Sequence, residues 1–199
     1  MNPAPRHITV IDETIREGMQ YRGLMFSLEQ RSAILDFQEQ LGVDICQAGY
    51  PSAHPSEADI ITRLVDHAMM KDYRIRVAAM GRVNPDDIRI MINTGVKDFH
   101  LHLYIPDNID RSGLDSRLAR IPAAKDLILN AVPGAAISIA LLDIGRTNRD
   151  ILSACIQYCA EQAIDILSLP DTSGIMAPNQ VYDTIHELVA QFPTQPFSI

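Results

Sequence analysis

The sequence has no apolar stretch near the roughly 20 residues that a membrane-spanning helix requires, and no secretory apolar core precedes its first predicted strand. Its net charge of −8 leaves no excess of Lys and Arg. Nucleic acids and acidic membrane surfaces bind clusters of these cations, so both kinds of partner are disfavoured. We therefore expect a cytoplasmic protein with no membrane and no nucleic-acid partner.

Cysteine is also scarce. Cys46, Cys155 and Cys159 form an odd count at too low a density for a disulfide scaffold, which favours a reduced, cytoplasmic setting. Cys155 and Cys159 lie four residues apart on a predicted helix, so their side chains are able to touch. We interpret them as two thiols that face the core, with a metal-binding or redox pair as the alternative.

The chain lacks low-complexity linkers, and its 199 residues suit one domain with a sizeable core. Apolar strands alternate with amphipathic helices along its whole length. The predicted strands span residues 7–12, 43–49, 74–80, 97–104, 135–142 and 164–169, and the predicted helices lie near 27–41, 56–71, 85–94, 114–131, 148–162 and 178–191. Such alternation implies a parallel sheet with right-handed crossovers.

Two architectures fit this alternation, an open doubly wound sheet and a (β/α)8 barrel. No Gly-x-Gly-x-x-Gly follows the first strand, and polar residues recur at many strand ends instead of at one switch point, which favours the barrel. A seventh strand begins at 196–199, whereas a complete barrel takes about 250 residues. The expected fold is therefore an α/β (β/α)8 TIM barrel truncated after about six and a half βα units, with residues 1–199 as the N-terminal part of a single catalytic barrel. The sequence is either a fragment of a longer product or is completed by a partner chain.

Polar side chains are concentrated directly after the first predicted strand. The apolar residues 8–11 are followed by Asp12, Glu13, Arg16, Glu17 and Gln20. Charges placed where a core strand reaches the surface cost stability unless they are paired or bind a ligand. Active sites of parallel α/β proteins lie at such strand ends, so segment 12–20 is the first candidate site.

Segment 12–20 resembles the first-strand signature of a superfamily that contains isopropylmalate, homocitrate and citramalate synthases and 3-hydroxy-3-methylglutaryl-CoA (HMG-CoA) lyase. Members of this superfamily are metal-dependent (β/α)8 barrels that make or break carbon–carbon bonds next to a carbonyl group. The family pattern Asp-x-Thr-x-Arg-Asp/Glu-Gly-x-Gln is matched at Asp12, Thr14, Arg16, Glu17, Gly18 and Gln20.

The resemblance implies that Arg16 is catalytic and stabilises the negative charge that develops on a carbonyl oxygen, and that Glu17 is a ligand of a divalent metal, Mg²⁺, Mn²⁺ or Zn²⁺. The chemistry agrees, because Arg is permanently protonated and carboxylates bind hard cations. A surface salt bridge between Arg16 and Glu17 is the alternative. Gln20 is a candidate contact to substrate or coenzyme, or else a loop-stabilising amide. Asp12 and Thr14 are expected to fix the loop through hydrogen bonds to backbone amides.

The second and fifth strands end in segments that resemble family motifs but lack an acid in each. Gln47 stands at the glutamate of Glu-x-Gly-Phe-Pro, and an amide orients a ligand but neither acts as a base nor neutralises a cation. Leu142 stands at the glutamate of Glu-Asp-x-x-Arg-Ser/Thr, whereas Asp143, Arg146 and Thr147 match. Arg146 is a candidate clamp for a substrate carboxylate, since guanidinium binds carboxylate in a two-pronged fashion.

The fourth and sixth strands supply two more candidates. His100 and His102 share a strand face, so both are able to point into the barrel. The resemblance implies that His100 faces substrate; a metal-binding His pair and hydrogen-bonded packing are the alternatives. The family motif Asp-Thr-x-Gly-x-x-x-Pro is matched at Asp171, Thr172, Gly174 and Pro178. The resemblance implies that the Thr172 hydroxyl binds the carboxylate of a 2-oxo acid, with a turn cap as the alternative.

The activity implied by the resemblance is that of an acyltransferase that performs a Claisen-type condensation of acetyl-CoA with a 2-oxo acid, as 2-isopropylmalate, homocitrate and citramalate synthases do. Relatives supply two further metal ligands from a His-x-His near the end of the seventh strand, where this sequence stops. A homodimer is expected, and no general base is identified. The alternatives are a lyase or aldolase that cleaves a carbon–carbon bond on the same scaffold, and a non-catalytic assembly subunit.

Overall fold

The computed structural model describes residues 8–106 and 109–199, so residue 7 of the first predicted strand lies outside the described part. Seven parallel strands follow one another across one sheet in chain order. They are β1 (Ile11–Asp12), β2 (Ile45–Gly49), β3 (Arg76–Arg82), β4 (Asp98–Leu103), β5 (Ala136–Leu141), β6 (Ile166–Ser168) and β7 (Phe197–Ser198). The sheet curls into part of a barrel, and the expected truncated (β/α)8 architecture is confirmed.

Helices connect consecutive strands. They are α1 (Thr14–Glu17), α2 (Leu28–Leu41), α3 (Pro55–Met70), α4 (Pro85–Asn93), α5 (Arg111–Leu118), α6 (Arg120–Ala131), α7 (Arg149–Glu161) and α8 (Pro178–Gln191), with 3-10 turns at Gly18–Gln20 and Pro51–Ala53. None of the helices in the described part is long and apolar enough to cross a membrane.

Local sequence sets both ends of α2. Ser27 and Gln30 form a capping box, in which Ser27 Oγ accepts from the Gln30 amide at 3.3 Å and Gln30 Oε1 accepts from the Ser27 amide at 2.8 Å. Gly42 closes the helix in the left-handed conformation, with φ at 76°. The bounds of α2 agree with the predicted helix near 27–41.

Two predicted elements differ from the structure. The predicted helix over 114–131 is divided at Ala119, because Pro122 has no backbone N–H and its ring crowds the carbonyl group four residues earlier. The first strand is shorter than predicted and is not enclosed, since Ile8 is 78% and Val10 49% exposed. The reason is that β1 pairs with β2 alone and forms an edge of the described sheet.

Alternate residues of the strands face two different layers. In β4, Phe99 and Leu103 belong to the hydrophobic core between the sheet and the helices, whereas His100 lines a cavity on the inner side. Cys155 and Cys159 on α7 are buried in the same core, and burial raises their pKa values to about 11 and about 12. The interpretation of these two cysteines as core-facing thiols is confirmed.

Candidate active site

A cavity of about 400 Å³ lies on the inner side of the sheet, next to the loops that follow β1, β5 and β6. Five of the residues that line it were predicted from the sequence: Arg16, Glu17, Gln20, His100 and Thr172. They come from segments far apart in the chain, and the curl of the parallel sheet brings them to one place. Such strand ends are where (β/α) barrels carry their active sites.

Arg16 belongs to α1, and its guanidinium is surrounded by acceptors. Nε donates to Gln47 Oε1, Nη1 to Glu17 Oε1 and Nη2 to Glu13 Oε2. The Arg16 side chain is only 12% exposed, whereas those of Glu13 and Glu17 are 42% and 49% exposed. The ion pair between Arg16 and Glu17 therefore exists, at the cavity. Sequence reasoning missed Glu13 as a partner, although its spacing of three residues on one helical turn was the available signal.

Asp12 holds the turn to which Arg16 belongs. Its Oδ1 accepts from the backbone N–H of Thr14 at 2.8 Å and from Gln38 Nε2 at 2.6 Å. The expected hydrogen bond between Asp12 and a backbone amide is therefore present, with the Thr14 N–H as the donor. Gln38 comes from α2, so the turn is fixed to the helix layer as well as to its own strand.

Gln47 links Arg16 to β4. Its Nε2 lies 2.7 Å from Nδ1 of His100, and both side chains are buried. Burial, together with the positive charges of Arg16 and Arg76, lowers the pKa of His100 to about 4. His100 is therefore neutral at physiological pH, so that one of its ring nitrogens donates a hydrogen bond and the other accepts one.

His102 also lines the cavity and lies beside a polar cluster. Its ring meets that of Tyr50 edge-on at 6.0 Å, and the Tyr50 hydroxyl donates to Asp87 Oδ2 at 2.7 Å. Burial works against the charge of Asp87, but hydrogen bonds from Arg82 and Tyr50 outweigh it and hold the pKa of Asp87 well below its usual range. Nδ1 of His102 is buried without a hydrogen-bond partner among the described residues, and burial lowers the pKa of this ring.

The loops after β5 and β6 are fastened to one another around Thr172. Asp143 Oδ2 accepts from the Ser173 hydroxyl at 2.9 Å, and Asp171 Oδ2 accepts from the backbone N–H of Met176 at 2.7 Å. The turn-cap interpretation therefore applies to Asp171. Thr172 itself lines the cavity.

Arg146 is the predicted site residue that does not line this cavity. Its side chain is 53% exposed, and its Nε lies 3.8 Å from Asp143 Oδ2. Its role as a carboxylate clamp stays a prediction. Leu142, from the same loop, does line the cavity and gives that wall an apolar surface.

The described residues do not form a complete metal site by themselves. Within 8–106 and 109–199, no three His, Cys, Asp or Glu side chains are grouped so that they are able to hold an ion. Glu13 and Glu17 both pair with Arg16. The alternative metal pair of His100 and His102 has no third ligand in this part of the chain. The role of Glu17 as a metal ligand stays a prediction that requires ligands from outside the described residues.

A curled parallel sheet whose strand ends surround a cavity with several charged and polar side chains defines a protein of the (β/α)-barrel class, in which such a cavity is the position of the active site. A family comparison makes the assignment specific. The HMGL-like family model matches residues 7–199, and the chain belongs to this family.

Curated relatives of the chain are synthases. The chain is 29% identical over 193 residues to the 2-isopropylmalate synthase of Saccharolobus solfataricus, and this match covers 92% of the chain and 47% of the relative. It is 27% identical over 205 residues to the homocitrate synthase of Saccharolobus islandicus, with 96% and 42% covered. The chain therefore spans about half the length of the curated relatives it matches.

A solved structure shows the same fold. The HMG-CoA lyase of Bacillus subtilis is similar with a TM-score of 0.75 and 18% sequence identity, over 98% of this chain and 68% of that chain. At 18% identity this similarity shows the backbone fold alone, and that fold is the predicted barrel.

Proposed function

We propose that residues 1–199 form the N-terminal part of a single catalytic barrel in an acyltransferase that condenses acetyl-CoA with a 2-oxo acid. The observation that carries the proposal is that Arg16, His100 and Thr172 line the same cavity. The similarity to 2-isopropylmalate and homocitrate synthases supports this class of reaction. The proposal concerns the activity of the whole protein.

A 2-oxo acid presents a carbonyl oxygen and a carboxylate, and the cavity offers donors for both. In the condensation a base takes a proton from the acetyl methyl group, the resulting carbon bonds to the carbonyl carbon, and the electron pair of the C=O bond moves to oxygen. Arg16 stabilises that oxyanion without a proton transfer, because guanidinium stays charged. The Thr172 hydroxyl donates to the carboxylate and orients the substrate. Hydrolysis of the thioester then releases CoA.

The charge around Arg16 also matters for this chemistry. Glu13 and Glu17 balance the guanidinium in the free site. We propose that Glu17 would hold a divalent cation in the complete protein, with the other ligands supplied from outside the described residues. The cation would polarise the carbonyl group of the 2-oxo acid as a Lewis acid, and Arg16 would face the substrate oxygen.

A second cavity leaves room for the acyl-CoA. It measures about 620 Å³ and shares Arg16, Gln20 and Met80 with the first cavity. Its lining includes apolar side chains such as Leu24 and Phe26. We propose that acetyl-CoA approaches from this side, so that its methyl group reaches the 2-oxo acid near Arg16 and Gln20 contacts one of the two substrates.

A thiol-release assay tests the proposal. The whole protein is incubated with acetyl-CoA and either Mg²⁺ or Mn²⁺. A short, a branched and an acidic 2-oxo acid are then added in separate reactions. Free CoA is expected only when a 2-oxo acid is present. Cleavage of HMG-CoA without any condensation would favour the lyase alternative, and inactivity in both assays would favour an assembly subunit. Light scattering on the same sample tests the expected homodimer.

A further inference from the structure

Gln47 connects the arginine and the histidine of the cavity from a closely packed position. It is 4% exposed and lies where the register between β2 and β3 shifts, between Gln47 and Gly49. A Cβ atom at Gly49 would collide with the carboxylate of Glu57, which Arg31 holds through hydrogen bonds of 2.8 and 2.9 Å. The backbone beside Gln47 therefore packs closely against the Arg31–Glu57 pair, and the side-chain amide of Gln47 lies between Arg16 and His100.

Those partners determine which way the amide points. The Nε of Arg16 only donates, so the atom of Gln47 that faces it is the oxygen. The remaining NH2 group only donates, and it faces Nδ1 of His100 at 2.7 Å. Nδ1 must then accept, and a neutral imidazole that accepts at Nδ1 carries its proton on Nε2. Arg16 thus sets the tautomer of His100 through Gln47.

We propose that Gln47 is a positioning residue that holds His100 as a neutral Nε2–H donor for an oxygen atom of the bound substrate. This rests on the proposed function in one respect, namely that the oxygen belongs to a 2-oxo acid. Because Nδ1 is engaged by Gln47, Nε2 is the ring nitrogen left to meet a ligand in the cavity that His100 lines. The low pKa that burial and the two arginines give His100 keeps the ring neutral.

A carboxylate at position 47 would produce the opposite state. A carboxylate only accepts, so it would take hydrogen bonds from both Arg16 and His100, and the proton of the ring would move to Nδ1. The unprotonated Nε2 would then face the cavity as an acceptor or a base. The negative charge of the carboxylate at position 47 would also favour the imidazolium form of His100. Glutamine at this position therefore commits His100 to donating a hydrogen bond.

Long-range ¹H–¹⁵N correlation spectra of the imidazole rings test the proposal, because they show which ring nitrogen carries the proton. The His100 signals are identified by their loss in His100→Gln. In the free wild-type protein near neutral pH we expect the Nε2–H tautomer. In Gln47→Glu we expect the proton at Nδ1, or the imidazolium. The matched control is Gln180→Glu, the same chemical change at an exposed helix cap, which should leave His100 unchanged.

Each outcome decides the proposal. A wild-type ring protonated at Nδ1 or on both nitrogens would overturn it, and this measurement does not depend on the folding of any variant. A Gln47→Glu ring that keeps the wild-type tautomer would also overturn it. Pyruvate, the simplest 2-oxo acid, should shift the Nε2–H resonance; the absence of a shift in a protein that condenses pyruvate would contradict the donor role. The tautomer is read in the free protein, so a failure of the thiol-release assay is distinguishable from a failure of this inference.

Discussion

At the scale of single residues, the cavity is organised around one guanidinium. Arg16 contacts two carboxylates and one amide, and it is the most enclosed of these charged groups. Each of its three donor nitrogens is aimed at a different acceptor, which a single ammonium group on a flexible stem does not reproduce. The site therefore requires the planar guanidinium of arginine at position 16, and a positive charge alone is not enough.

Arg16→Lys should lower kcat/KM for condensation by about 30-fold or more, which corresponds to about 2 kcal/mol of transition-state stabilisation and to the loss of one oxyanion donor. The substitution keeps the charge but removes the planar fork. The thiol-release assay measures the effect. Arg63→Lys, at an exposed arginine on α3 paired with Asp59, is the control and should retain full activity. Near-wild-type turnover of Arg16→Lys would remove Arg16 from the catalytic group.

Asp87 makes stability depend on pH. Its folded pKa lies below the unfolded value of about 3.9, so its contribution is fully present above that pH and is lost as the pH falls below it. Asp87→Asn should lower the free energy of unfolding by about 1–3 kcal/mol at neutral pH, since Arg82 and Tyr50 lose a charged acceptor. The difference from wild type should shrink below about pH 4 in urea titrations. Asp86→Asn, which is exposed, should change stability much less, and a pH-independent loss for Asp87→Asn would contradict this account.

At the scale of elements, β2 and α3 approach each other closely at Gly49. Gly49→Ala should lower the free energy of unfolding by about 1–3 kcal/mol, because the added Cβ meets a carboxylate that Arg31 holds in place. Chemical denaturation measures this loss. Gly134→Ala is the control for an alanine at a glycine with positive φ, 80° at Gly134 and 157° at Gly49, and none of the described residues lies within 4 Å of its added atom. Equal losses for the two variants would mean that the collision with Glu57 does not matter.

The order and type of the elements were predictable from periodicity, and so were several of their ends. Ser27 and Gly42 bound α2 through local chemistry that needs no tertiary partner. Pro122 is a local signal for the division between α5 and α6, but hydrophobic periodicity alone does not detect it. The apolar pattern continues through Pro122, whereas the helical hydrogen bonds do not. The exposure of Ile8 and Val10 depended on the place of β1 in the sheet, which no local pattern specifies.

At the scale of the whole molecule, the first and the sixth strand ends share one cavity. Arg16 follows β1 and Thr172 follows β6, and both line the same space because the sheet curls between them. If one substrate molecule contacts both groups, their contributions to its transition state are coupled. Additive behaviour is the rule for distant sites without a shared partner.

A double-mutant cycle with Arg16→Lys and Thr172→Val should therefore show a coupling of about 0.5–3 kcal/mol in kcat/KM, since both changes affect the hold on one 2-oxo acid. Kinetics of the thiol-release reaction supply the four values. The cycle with Arg63→Lys in place of Thr172→Val serves as the reference and should show no coupling. Strict additivity for Arg16 and Thr172 would mean that the two side chains do not meet a common substrate.

The sequence by itself determined the βα alternation, the candidate residues Arg16, Glu17, Gln20, His100 and Thr172, and the core position of the cysteines on α7, because these follow from local periodicity and from motifs within short segments. Only the tertiary structure decided that Arg146 lies outside the cavity and that Gln47 joins Arg16 to His100. Contacts of the last kind depend on strand register and on the curl of the sheet. These set distances between residues that are remote in the chain, and no short stretch of sequence contains them.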